Sequence, residues 1–84
     1  MTASLLIVDD DKLTRETLSS AFSDSYRTLT ARNGREALEI LEAEKPDIVL
    51  SDLKMPDMDG MGLLERIKQL NGISPALIFI TGHA

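Results

Sequence analysis

The chain has 84 residues, enough for one small domain that buries about 60 to 65% of its unfolded surface. Fourteen acidic against nine basic residues give a net charge of −5 with no basic cluster, so direct binding of nucleic acid by this stretch is not expected. There is no cysteine, which excludes disulfides and thiolate metal sites, and no apolar run long enough for a membrane span or a signal peptide. A cytoplasmic protein without membrane attachment is the default expectation.

In chain order, Ser4 to Val8 is a continuous β-rich apolar run, which predicts a strand covered on both faces. From Lys12 to about Phe22, the positions Leu13, Thr17, Leu18, Ala21 and Phe22 fall near one helical face. Residues 26 to 31 have β propensity but weaker hydrophobicity, as expected of a strand nearer an edge. Asn33 then opens a second helix. Its side chain can cap the first turn, and Glu36 resembles the reciprocal partner of a capping box, while Ala37, Leu38 and Leu41 supply the buried stripe. Pro46 stops that helix, and Asp47 to Ser51 reads as a third strand.

Residues 53 to 60 form a loop rich in Pro, Asp and Gly, longer than is usual in α/β units and therefore a candidate carrier of function. Met61, Leu64, Ile67 and Leu70 space a third helix that ends near Asn71-Gly72, and residues 76 to 80 form a fourth apolar strand. The order βαβαβαβ predicts a parallel sheet with right-handed crossovers. An open sheet and a half-barrel share this element order. The fourth strand is apolar enough to belong inside a sheet; as an edge it would invite pairing with another chain, giving a homo-oligomer or an exchange of elements.

The chemistry-bearing residues cluster at strand ends. Asp9, Asp10 and Asp11 follow the first strand, and Asp52 follows the third. Were those strands parallel neighbours, the carboxylates would converge on the carboxyl edge, where open α/β sheets bind ligands. Each pair of like charges within about 5 Å costs roughly 3 kcal/mol at an effective dielectric near 20, a cost that a hard divalent cation removes. Asp11 alone sits where a plain helix cap is the simpler reading. The set suggests phosphoryl transfer to a carboxylate assisted by Mg2+. Thr81 ends the fourth strand at the same edge, where its hydroxyl could donate to a phosphoryl oxygen. His83 receives no role, and Met55, Met58 and Met61 read as gap-fillers.

Leu5 to Arg15, the segment Asp47 to Gly60 with its Met-Pro-Asp-Met-Asp-Gly loop, and Thr81 to Ala84 together resemble the receiver domain of two-component response regulators. The resemblance spans nearly the whole chain. It implies a flavodoxin-like (CheY-like) α/β fold with strand order 2-1-3-4, and a phospho-acceptor role served by a sensor histidine kinase and coupled to an output domain outside this chain. It implies Asp52 as the acceptor and Asp10 as a direct Mg2+ ligand. Asp9 would act through a metal-bound water, and the Lys54 carbonyl would complete the protein ligands. Thr81 would be the switch hydroxyl, and Ala84 would lie where the family backbone approaches the phosphoryl group.

Receivers of this family continue through a fourth helix, a fifth strand and a fifth helix, so residues 1 to 84 are expected to be a partial receiver domain, without the family's fifth-strand lysine. Thr-Gly-His-Ala also resembles receivers of ATPase-type transcriptional activators of the nitrogen-regulatory kind, which makes transcription the expected output. Such a domain is a phosphoryl acceptor rather than a conventional enzyme: an aspartate-nucleophile phosphatase would want a carboxylate where Lys54 stands. A self-associating scaffold without efficient phosphorylation is the alternative.

Overall fold

The computed structural model describes residues 2–52, 60–69 and 76–80, with the backbone alone at 52, 60, 61, 63, 64 and 76–80. The elements are β1 (Ser4–Val8), α1 (Lys12–Phe22), β2 (Arg27–Ala31), α2 (Gly34–Glu44), β3 (Ile48–Asp52), α3 (Gly60–Lys68) and β4 (Ala76–Ile80). The strands form one sheet in the order β2-β1-β3-β4, with every pair parallel. This strand order is that of the open sheet and not of the half-barrel, which shares the element order alone.

Strand order dictates where the helices go. The chain steps from β1 to β2 in one direction and from β2 across to β3 in the other, so right-handed crossovers place α1 and α2 on opposite faces. Packing agrees with this. Leu6, Val8, Ala31 and Val49 join Ala37 and Leu41 of α2 and Ile67 of α3 in one buried cluster, with Leu29, Leu38 and Ile40 half-buried against it. The alternate residues Leu5 and Ile7 point the other way and are also buried. On that second face the Ser19 hydroxyl of α1 lies 3.0 Å from that of Thr28, the register partner of Leu5. Burial on both faces explains the unbroken apolar run of β1, whereas β2, at the end of the order, is mixed.

Local signals set the element ends. Asp11 caps α1, its Oδ2 accepting from the Thr14 N–H at 3.2 Å and the Thr14 hydroxyl at 2.6 Å. Asn33 Oδ1 accepts from the Glu36 N–H at 2.8 Å at the start of α2. Glu36 reaches back as a capping box requires, but to the Arg32 N–H at 3.2 Å, one residue before the cap. Lys45, at φ 49°, closes α2 in the left-handed region, its N–H donating to the Leu41 carbonyl. Asn33→Ala should destabilise the chain by about 1 kcal/mol, read as a lower urea midpoint at unchanged slope, while Asn33→Asp should be nearly neutral.

Four expectations are corrected. Strand β3 begins at Ile48 and includes Asp52, because Asp47 turns its carboxylate to the start of β1: Oδ2 accepts from the Ser4 N–H at 2.8 Å and lies 3.2 Å from the Ser4 hydroxyl. Helix α3 starts one residue early, at Gly60, and β2 one residue late, at Arg27. The face of α1 turned to the sheet is rotated from the expected one. Leu18 and Phe22 are half-buried as expected, but Leu13, Thr17 and Ala21 are exposed and Thr14, Arg15 and Ser19 take their place. Leu70 and the end of the third helix near 71–72 lie outside the described residues.

Candidate functional site at the carboxyl edge of the sheet

The register of the two central strands brings the acidic positions together. Val8 at the end of β1 pairs with Ser51 of β3, so the residue that follows each is an aspartate, Asp9 just beyond β1 and Asp52 at the end of β3. Parallel strands lie about 5 Å apart, which sets the backbone separation of these two positions. Strand β4 continues the edge, with Ile80 paired to Asp52. Thr81, next in sequence, and Lys54 and Ala84 lie outside the described residues, as does the loop 53–59.

Asp9 and Asp10 are adjacent in sequence but occupy different environments. Asp9 is 2% exposed, an unusual position for a carboxylate, and Asp10 is exposed. Asp9 is held from several sides. Its N–H donates to the Ala31 carbonyl of β2 at 3.1 Å, its Oδ1 accepts from the Asp11 N–H at 2.9 Å, and its carbonyl accepts from Arg15 Nη1 at 2.8 Å. Asp11 serves as the helix cap, as expected of it, rather than as a further site carboxylate. Among the described residues every buried side-chain polar atom has a partner.

Sequence reasoning singles out no role for Arg15. Its acceptor is a main-chain carbonyl, which leaves no mark in residue types; the available signal was a basic residue one turn into the helix behind the acidic run.

The oxygen donors described at this edge are the carboxylates of Asp9 and Asp10, with Asp10 open to solvent, a chemistry suited to a hard cation that keeps part of its water shell. Among the described residues no three His, Cys, Asp or Glu side chains form a metal-holding group, and the Asp52 side chain is not among those described. No helix among the described residues is long and apolar enough to cross a membrane.

Comparison with known proteins identifies the fold and its family. The chain is 44% identical over 84 residues to the positive alginate biosynthesis regulatory protein of Pseudomonas aeruginosa, covering 95% of this chain and 34% of that protein. It is 43% identical over 79 residues to the DNA-binding transcriptional regulator NtrC of Escherichia coli, covering 93% of this chain and 17% of the regulator. It is 43% identical over 72 residues to sporulation initiation phosphotransferase F of Bacillus subtilis, covering 84% of this chain and 58% of that protein. The chain thus spans about a third of the first of these relatives and about a sixth of the second.

Among solved structures, the N-terminal domain of a response regulator receiver protein from Methanoculleus marisnigri superposes with a TM-score of 0.89 at 35% identity, over 95% of this chain and 67% of that one. The receiver domain of a signal transduction histidine kinase from Syntrophus aciditrophicus gives 0.88 at 33%, over 99% and 64%. The model of the response regulator receiver domain matches residues 5–84, so the parallel sheet with its acidic carboxyl edge belongs to the response regulator receiver domain family of two-component signalling.

Proposed function

We propose that this chain is a phospho-acceptor in which the Asp52 carboxylate takes a phosphoryl group from a phosphohistidine on a sensor histidine kinase. The observation that supports this reading is the β1–β3 register, which sets Asp9 beside Asp52 at the carboxyl edge of a receiver fold. A carboxylate oxygen of Asp52 attacks phosphorus, the P–N bond breaks, and the imidazole nitrogen keeps the electron pair and takes up a proton. The product is an acyl phosphate. Mg2+, when bound, would offset charge on the phosphoryl oxygens and among the carboxylates.

Asp10 and Asp52 would supply direct oxygen ligands, with Asp9 acting through a retained water and the Lys54 carbonyl completing the set. The Thr81 hydroxyl would donate to the phosphoryl group and Ala84 would approach it through the backbone, coupling phosphorylation to a shift in conformational population. The transcriptional regulators among its relatives support transcription as the output, exercised through a domain outside these residues. The solved receivers, of which this chain covers about two thirds, support reading it as a partial receiver.

Incubation with acetyl phosphate followed by intact-mass spectrometry tests the reading. The expected result is a single phosphoryl adduct per chain that forms with Mg2+ and is lost with a chelator. A folded chain that binds Mg2+ but takes up no phosphoryl group would overturn acceptor function for these residues.

A further inference from the structure

We infer that Arg15 is a positioning residue for the acidic site, fixing the β1–α1 turn through the Asp9 carbonyl so that the Asp9 and Asp10 oxygens are preset for a divalent cation. The inference rests on the proposed Mg2+-assisted reading and adds to it a residue outside the carboxylate set.

The geometry carries the argument. Asp9 stands where β1 hands over to α1, and three of its hydrogen bonds help to hold it there. One ties its N–H to β2, one ties its carboxylate to the Asp11 N–H, and the third ties its carbonyl to Arg15 Nη1 at 2.8 Å. The first two are local extensions of the ladder and of the helix cap. The third connects the turn to the body of α1, six residues on, and its donor is a charged guanidinium. A hydrogen bond from a charged donor is stronger than a neutral one, and its acceptor belongs to a residue that is 2% exposed, where water is a poor substitute.

The same guanidinium brings positive charge to the backbone between Val8 and Asp10, at an edge rich in carboxylates. Outer partners of metal ligands act in this way, setting ligand orientation before the ion arrives, and their removal weakens affinity about 10- to 100-fold.

Arg15 is also replaceable without opening the core. It is half-buried and lines an open groove of about 510 Å³ between α1 and β2, with Lys12, Glu16 and Thr30 on its walls. A shorter side chain there leaves space that solvent fills.

Calorimetric titration of the metal-free chain with Mg2+ compares the parent with Arg15→Met, Arg15→Gln and Arg15→Lys, each checked for folding by circular dichroism. Arg15→Met and Arg15→Gln should raise the Mg2+ dissociation constant about tenfold, the low end for an outer partner, and Arg15→Lys about threefold, because it restores a charged donor. A purely structural role would lower the urea midpoint and leave the Mg2+ affinity of the folded chain unchanged. Parent-like affinity in either uncharged variant that folds therefore overturns the inference while leaving the acceptor reading intact. Failure of the parent itself to bind Mg2+ overturns both.

Discussion

Leu41→Ala should destabilise the chain by about 2 to 5 kcal/mol, enough to leave a large fraction unfolded at room temperature. Domains are stable by roughly 0.05 to 0.15 kcal/mol per residue, so one buried leucine is a large share of the total in an 84-residue chain. Leu41 is fully buried where α2 meets the sheet, among Leu6, Val8, Ala37 and Val49. Truncation removes its transfer free energy and leaves a cavity that strands paired on both sides cannot collapse to fill. Its own backbone carbonyl also accepts the helix-closing bond from Lys45, so local loosening spreads to the end of α2.

Leu13→Ala is the control, because Leu13 is 69% exposed and its truncation should stay within about 0.5 kcal/mol. Urea unfolding of both variants decides the matter. Equal losses would mean that Leu13 is covered in solution and that the described face of α1 is not its free face.

Leu13 also marks a limit of sequence reading. Its spacing with Thr17 and Ala21 is a sound helical stripe, and periodicity correctly announces α1 over Lys12–Phe22. Periodicity does not say which side a sheet will cover, and α1 is held through Thr14, Arg15, Leu18 and Ser19 instead. Strand β1 was legible because burial on both faces demands an unbroken apolar run, β3 because Ile48, Val49 and Leu50 follow a helix-stopping proline, and Asn33 and Asp11 were legible as caps because a short oxygen-bearing side chain before a helix has few other uses. Asp47 was misassigned for the same reason that it is useful. It follows Pro46 directly ahead of an apolar run, so it reads as strand, yet its carboxylate ties β3 to Ser4 across 43 residues of chain.

The convergence of Asp9 and Asp52 could be argued from strand ends only on the condition that β1 and β3 are neighbours, and the register Val8 to Ser51 meets that condition. The burial difference between Asp9 and Asp10 had no signature at all. Consecutive residues leaving a strand point to opposite sides, and which of them is buried depends on the turn that follows, held here by hydrogen bonds to main-chain atoms.

Asp52→Asn should abolish the phosphoryl adduct outright, since a carboxamide is no nucleophile and losing the attacking group costs roughly 10⁴-fold or more. Added Mg2+ should not restore it. On the proposed reading Asp9→Asn and Asp10→Asn keep the attacking carboxylate and should weaken cation binding, so their labelling should fall at low Mg2+ and recover as Mg2+ is raised. Folding stability separates these effects from simple damage. On the proposed reading Asp52→Asn removes one of several like charges at the edge, so it should leave the metal-free chain as stable as the parent or more stable by about 1 kcal/mol after solvent screening, opposite in sign to Leu41→Ala. An adduct that persists in Asp52→Asn would move the acceptor to another carboxylate, and peptide mapping of that adduct would identify it. Labelling lost together with stability would instead make Asp52 a structural residue of β3, removing the chemical reason for two strands to end in aspartate at one edge.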